Sequence, residues 1–315
     1  MKRFRSIVVV VSGKDHGQAA IEQAANLAIK NSAKITLVDA ISQFSSVFDP
    51  AGAMAAEVQH DLVRKQKKES MEHLARPLRD AGISVACQMF EGDLAEKTIE
   101  CVISQHHDLL LKSAEHPQGI AQRVFGTLGQ RLMRKCPCPV WIIRVDERPT
   151  SNRILVAIRP LATDQKRHPM NVAMMDMASE LSIQFDCELH VVYVWPEPLD
   201  ETRSEHQEIE KLQTDSLEQL IGPYRAQVPI HTHFLQGNPG NMIAHLAQKL
   251  EVDLLVMGTV CRSNFVFFTI GHTAERLLDE VQCSVLAIKP EKFQAQVFKG
   301  EEARSRLFGP EWKFA

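Results

Sequence analysis

No stretch of this chain approaches the roughly 20 consecutive apolar residues needed to cross a bilayer. Its start, MKRFRSIVVVVSGKDHG, has too short an apolar run before Ser12 and Gly13 for a secretory signal. A cytoplasmic protein is expected. Charge of one sign is also lacking: 36 Lys and Arg against 39 Asp and Glu leave a formal charge of -3. That balance gives no long-range attraction to nucleic acid or to an acidic membrane, although a local Arg or Lys still suits a phosphate. Cysteine is sparse and odd in number, with Cys87, Cys101, Cys136, Cys138, Cys187, Cys261 and Cys283 scattered along the chain. This is no disulfide framework, and free thiols are expected. A nucleophile elbow is missing too, and no candidate loop holds a pair of carboxylates, Asp15 and Asp164 lying in different loops, so no catalytic constellation assembles.

What is present is a soluble composition, 44% hydrophobic and 24% charged over 315 residues, enough for two domains of ordinary size. The chain repeats itself. HHDLLLKSAEHPQGIAQRVFGTLGQRLMRKCPCPVWIIR lies without a gap on EVDLLVMGTVCRSNFVFFTIGHTAERLLDEVQCSVLAIK, so that Asp108 falls on Asp253, Gly126 on Gly271 and Cys138 on Cys283, each 145 residues on. Gly92 falls on Gly237 at the same offset, and RSIVVVVSG matches NRILVAIRP at a similar one. Two copies of one domain, 1–147 and 152–290, joined at ERPTSN, reconcile these matches and leave a tail, 291–315.

Within each copy, short β-branched runs alternate with amphipathic segments. IVVVV (7–11) and KITLVDA (34–40) read as strands, with Ile21, Ala24, Ala25 and Ala28 at helical spacing between them. ILVAI (154–158), ELHVVYV (188–194) and Met174, Met177, Ala178 and Leu181 repeat the pattern. Polar segments near 50–80 and 198–227 predict surface helices. Five strands and four helical connections per copy imply a parallel sheet covered on both faces. Ligands bind such sheets outside the carboxyl ends of the strands, where strand order reverses. That directs attention to the loops after the first and fourth strands, 12–17 and 113–127, then 159–168 and 258–272.

The strand LLVMG, then two residues, Cys261, nine residues, Gly271 and His272 resembles the signature of the universal stress protein family: Gly, two residues, Gly, nine residues, Gly, then Ser or Thr. HDLLLK, LMRKCPCPVW and AIKPEKFQ are similar to the tandem E-type members. The resemblance implies two Rossmann-like, adenine nucleotide alpha hydrolase-like domains, each a five-stranded parallel sheet, packed as a pseudo-dimer, with a homodimer left open. It also implies a nucleotide such as ATP or AMP held at the glycine loop and following helix, assisted by an Asp after the first strand.

Neither copy keeps that pattern whole. Copy one has Ser12 at the Asp position and Ser113 and His116 at the first two glycines, but retains Gly126 and Thr127. Copy two has Arg159 at the Asp position, retains Gly258 and Gly271, and carries Cys261 and His272. The candidate nucleotide-binding residues are therefore Arg159, Gly258, Thr259, Cys261, Arg262, Gly271, His272 and Thr273. His272 suits either a phosphate oxygen or the start of a helix at Thr273; Arg159 suits an anion or plain solvent.

The stretch NFVFFTI sets Phe265, Phe267, Phe268 and Ile270 in the same loop. They suit packing against the other copy, or an apolar or lipid-linked ligand. A ligand-free scaffold for protein partners is a further alternative, and ATP hydrolysis comes last. VSGKDHG (11–17) follows a strand but fails the Walker spacing. His231 and His233 share one face of a strand with no third ligand apparent, so no metal is expected. Cys136 and Cys138, in a Cys-Pro phrase common in the family, suggest packing rather than redox work or zinc. His106 and His107 read as loop residues. The tail, with Phe293, Val297, Phe298, Leu307, Phe308, Trp312 and Phe314 among charges, is expected to fold back on the chain or a partner.

Overall fold

The computed structural model describes residues 4–12, 17–41, 50–115, 126–144, 152–159, 168–195, 203–259, 277–278 and 280–289. The Phe-rich loop, Cys261, Arg262, Gly271, His272, Thr273, His116 and the tail lie outside the described residues. The first half runs β1 (Ser6–Val10), α1 (Gln18–Asn31), β2 (Lys34–Ile41), α2 (Pro50–Asp80), β3 (Val85–Glu91), α3 (Leu94–Gln105), β4 (Leu109–Ser113), α4 (Gly126–Lys135) and β5 (Val140–Ile143). The second half runs β6 (Arg153–Ala157), α5 (His168–Phe185), β7 (Glu188–Trp195), α6 (Arg203–Arg225), β8 (Ile230–Gln236), α7 (Pro239–Lys249), β9 (Leu254–Gly258) and β10 (Ser284–Ile288).

The strands form a ten-stranded sheet in the order β3-β2-β1-β4-β5-β10-β9-β6-β7-β8. Every pairing is parallel except β5 with β10, where Leu286 lies opposite Trp141. Each half is thus a five-stranded parallel sheet whose strand order reverses between its first and fourth strands, and the halves meet edge to edge as an internal pseudo-dimer. Buried clusters on both faces run through the two halves. Val9, Leu37, Val156 and Val191 belong to one, and Val8, Leu110, Leu155 and Val285 to the other. Continuous burial of β1 and β4 explains why these strands read as unbroken β-branched or leucine runs. The terminal strands β3 and β8 are only partly covered. On one face, α1 and α5 meet at their carboxyl ends: Asn31 Nδ2 donates to Gln184 Oε1 (3.1 Å), Lys30 donates to the Gln184 carbonyl, and the Lys30 ammonium lies 5.0 Å from the Phe185 ring centre.

The duplication extends to backbone detail. Gly92 and Gly237 both have positive φ (108° and 132°), and each is followed by a residue that caps the next helix. Asp93 accepts from Glu96 N (2.9 Å), and Asn238 from Gly240 N (3.1 Å) with Pro239 opening α7. His106 and Glu251, also 145 apart, both turn left-handed after their helices. Asp108 accepts from Arg5 N (2.7 Å) and Asp253 from Arg153 N (2.9 Å), tying the entry to the fourth strand to the start of the first in each half. His107 is not a plain loop residue. It is buried, its Nδ1 lies 2.8 Å from Ser6 Oγ, and burial lowers its pKa.

Candidate functional site

Pairing of β1 with β4 puts Val10 beside Lys112, so Ser12 and Ala114 leave the sheet side by side at the reversal point. The equivalent pair in the second half is Ala157 with Met257, which brings Arg159 and Thr259 out together. These are the two crevices expected from the topology.

In the first crevice, helix α1 begins at Gly17, which has φ 72° and no side chain to cap with. A Cβ there would stand 2.9 Å from the Val10 carbonyl oxygen, so both conformation and space require glycine. The missing cap comes from the sheet: Ser113 Oγ accepts from Ala20 N at 3.1 Å, satisfying an N–H of the first turn that has no partner within its helix. Ser113 is buried, and its hydroxyl is committed to α1.

The next residues set a carboxylate at the start of α4. Lys112 is buried, with its side chain 3% exposed; its Nζ donates to the Ser113 carbonyl (2.8 Å) and faces Glu115 Oε1 at 3.3 Å. Gly126, φ 55°, opens α4, and a Cβ on it would collide with both carboxylate oxygens of Glu115. A carboxylate therefore lies against the first residue of the helix, where the dipole and unsatisfied N–H groups favour negative charge. Thr127, the next residue, is part of the same first turn.

Among the described residues the second site shows no such pair. At the 145-residue offset Lys112 becomes Met257, Ser113 becomes Gly258, Ala114 becomes Thr259 and Glu115 becomes Val260. Gly258 packs near Met170, whose Cγ would be 3.5 Å from an added Cβ. Thr259 is 2% exposed, its N–H donates to the Ile288 carbonyl (3.3 Å), and its Oγ1 has no hydrogen-bond partner among the described residues. Arg159 is exposed, and its carbonyl accepts from Asn171 Nδ2 at 3.0 Å. Burial raises the Tyr193 phenol, and the Arg159 guanidinium pulls it back, which puts positive charge near the carboxyl end of β7. Trp195 continues that end, with its ring centre 5.9 Å from Tyr193 and 6.3 Å from Phe234.

Sequence reasoning missed Lys112, Glu115 and a histidine cluster. The first two had a signal, a lysine ending the apolar run DLLLK and an acid three residues later. The cluster needed the strand register. His190 lies opposite His231, which places His190 with His231 and His233 on one face of β7 and β8. His190 Nδ1 is 3.0 Å from His233 Nε2, and its ring stacks on both neighbours at 4.9 and 5.3 Å. Burial lowers the pKa of His190 and of His233, and the neighbouring imidazoles add to the effect. Among the described residues no three His, Cys, Asp or Glu side chains are arranged to hold a metal.

A cleft of about 440 Å³ lies elsewhere, between α2, β3 and α3. Its charged lining is paired within itself, Arg64 with Glu91 and Lys97 with Glu100, each at 2.8 Å. No described helix is long and apolar enough to cross a membrane. The six described cysteines are free.

Two five-stranded parallel halves, each reversing its strand order between its first and fourth strands, define a tandem Rossmann-like α/β protein. The profile of the universal stress protein family matches residues 3–144 and again 152–289. The chain belongs to that family. Universal stress protein E of Escherichia coli K12 is 26% identical over 96% of this chain and 99% of its own length. Universal stress protein E of Photorhabdus laumondii is 23% identical over 96% of this chain and 100% of its own. Two solved structures share the fold. A functionally unknown protein from Pseudomonas aeruginosa PAO1 covers 96% of this chain and 98% of its own at TM-score 0.73 and 24% identity. A universal stress protein from Archaeoglobus fulgidus DSM 4304 covers 91% and 97% at TM-score 0.66 and 16% identity.

Proposed function

We propose that this tandem universal stress protein is a non-catalytic binding module in which the second domain takes an adenine nucleotide and the first domain is closed by its own carboxylate. The observation that carries this is the Glu115 carboxylate packed on Gly126 and facing buried Lys112, with Val260 at the equivalent of Glu115. An incoming phosphate at α4 would have to displace Glu115 or sit beside its like charge, which disfavours binding there. The second domain offers no acid at that position. It supplies Arg159 nearby and a buried Thr259 hydroxyl without a described partner, a group that gains most from a ligand oxygen. Gly258, Cys261, Arg262, Gly271, His272 and Thr273 complete the proposed loop by resemblance to the family.

Titration calorimetry with ATP, ADP and AMP tests this on wild type, Gly271→Asp and the near-isosteric Thr259→Val. Binding by wild type, abolished by Gly271→Asp and weakened by Thr259→Val, is the expected result. No heat from wild type at millimolar nucleotide removes the proposal. The apolar-ligand alternative rests on Phe265, Phe267 and Phe268, and native mass spectrometry of the purified protein would detect such a retained molecule.

A further inference from the structure

At the joint between the halves, β5 and β10 run antiparallel, and the end of β10 passes the start of β5, with Ala287 opposite Val140. This brings Lys289 of the second half to Cys136 and Cys138 of the first. The two sulfurs are 3.4 Å apart, at hydrogen-bonding distance, and both are buried, Cys136 at 0% and Cys138 at 7% exposure. Lys289 is itself 6% exposed. Packing alone explains one buried thiol; it does not explain a pair in contact beside an ammonium withdrawn from water.

We propose that Cys136 and Cys138 are a redox-active dithiol, oxidised by a hydroperoxide to an intramolecular disulfide, with Lys289 as the positioning residue that favours the attacking thiolate. The Cys136 thiolate attacks the peroxide O–O bond, forming S–O and releasing an alkoxide, or hydroxide from hydrogen peroxide, which takes up a proton. Cys138 then attacks the Cys136 sulfur, the S–O bond breaks, and hydroxide leaves as water with the Cys138 proton. Two thiols and one hydroperoxide give one disulfide, one alcohol (water from hydrogen peroxide) and one water. The sulfurs have to close from 3.4 Å to about 2.05 Å.

The acid–base asymmetry is the one such an exchange needs. Burial raises the Cys136 thiol, but the hydrogen bond from Cys138 and the Lys289 charge bring it below its ordinary value, while Cys138 is pushed well above. Burial lowers Lys289 to about 8, with the two thiols acting in the opposite direction. A thiolate, not a thiol, is the nucleophile, and a nearby cation favours it. Pro137 and Pro139 donate no backbone hydrogen bonds, so the segment between α4 and β5 has fewer bonds to break when it opens to a small oxidant. The second half carries its own control. At the 145-residue offset Cys138 becomes Cys283 but Cys136 becomes Val281. Cys283 is a single thiol, pushed up by burial to about 12.

The folded full-length protein is treated with hydrogen peroxide, then unfolded, alkylated and digested with trypsin, which releases CPCPVWIIR (136–144) with both cysteines and no other. The expected product is this peptide lighter by two hydrogens and without alkyl groups, restored by dithiothreitol, while Cys283 stays fully alkylated. Cys138→Ser is expected to stop at a sulfenic acid on Cys136, trapped by dimedone. Lys289→Met is expected to slow oxidation about tenfold, the effect of roughly one unit in the thiol pKa. Recovery of CPCPVWIIR with both cysteines alkylated overturns the proposal, as does oxidation of Cys283 at the same rate. The wild-type measurement needs no variant, so a substitution that fails to fold does not decide the question.

Discussion

Replacing Glu115 with alanine isolates the internal anion of the first domain. The variant loses a carboxylate 3.3 Å from the Lys112 amine and in contact with the opening residue of α4. Glu115 is 51% exposed, so solvent screening limits the ion pair to about 0.5–1 kcal/mol. The helix-terminus interaction adds roughly 0.3–1 kcal/mol. Lys112 keeps its bond to the Ser113 carbonyl, which prevents the larger penalty of a buried amine left alone. A net loss of about 1–1.5 kcal/mol lowers the melting temperature of a domain this size by roughly 2–6 °C. The vacated place is then open to a solution anion, and phosphate at ten times its dissociation constant returns about 1.4 kcal/mol. Thermal melts of wild type and variant, in chloride and in phosphate at matched ionic strength, measure both effects. The gap between them is expected to open in chloride and narrow as phosphate rises. Any phosphate bound by the second domain shifts both proteins equally and cancels from the gap. A gap that is missing in chloride, or that ignores phosphate, refutes the self-occupied site.

Gly17→Ala is expected to destabilise the protein by about 1–2 kcal/mol or more, because φ 72° is left-handed and the Cβ meets the Val10 carbonyl. Gly82→Ala, at φ 82° but with open space around it, should cost only the backbone part, near ~1 kcal/mol, and urea midpoints compare the two. His190 and His233 have folded pKa values below the unfolded value, so the unfolded chain takes up protons first as pH falls. Stability is then full above about 6.5 and declines below it, until the folded pKa values are passed. His190→Gln should flatten that decline in a melt series, and an unchanged slope would remove the cluster as its source.

The sheet was legible because its burial is regular. SIVVV and LLLKS are buried at every position, and a strand covered on both faces shows as a continuous apolar run. The helices showed through spacing: Met174, Met177, Ala178 and Leu181 all reach the core. Repetition gave the rest, since one offset relates Gly92 to Gly237 and Asp108 to Asp253 in the sequence itself. The crevices were located by topology, but their contents were not. Glu115 meets Gly126 across a loop, and such proximity leaves no periodic trace. His190 and Lys289 are invisible for a related reason: each acquires its partners through strand register, His190 from β8 and Lys289 from the antiparallel joint.

Duplication also explains how one fold tolerates two different crevices. The parts that hold each half together are matched: the Asp93 and Asn238 caps, the Asp108 and Asp253 ties, the glycines before α3 and α7. Changes fall at the carboxyl ends of the strands, where the connecting loops that carry function begin. There the halves differ in charge. The first buries a lysine and sets a glutamate against both it and the start of α4, a neutral arrangement. The second has methionine and valine in those places and an exposed arginine after its first strand, so positive charge there is not cancelled by the residue that cancels it in the first half. If the asymmetry sets ligand choice, Val260→Glu should close the second crevice as Glu115 closes the first. Nucleotide heat in calorimetry is then expected to fall to background while the melting temperature holds. Undiminished binding by that variant would show that the acid is not what separates the two copies.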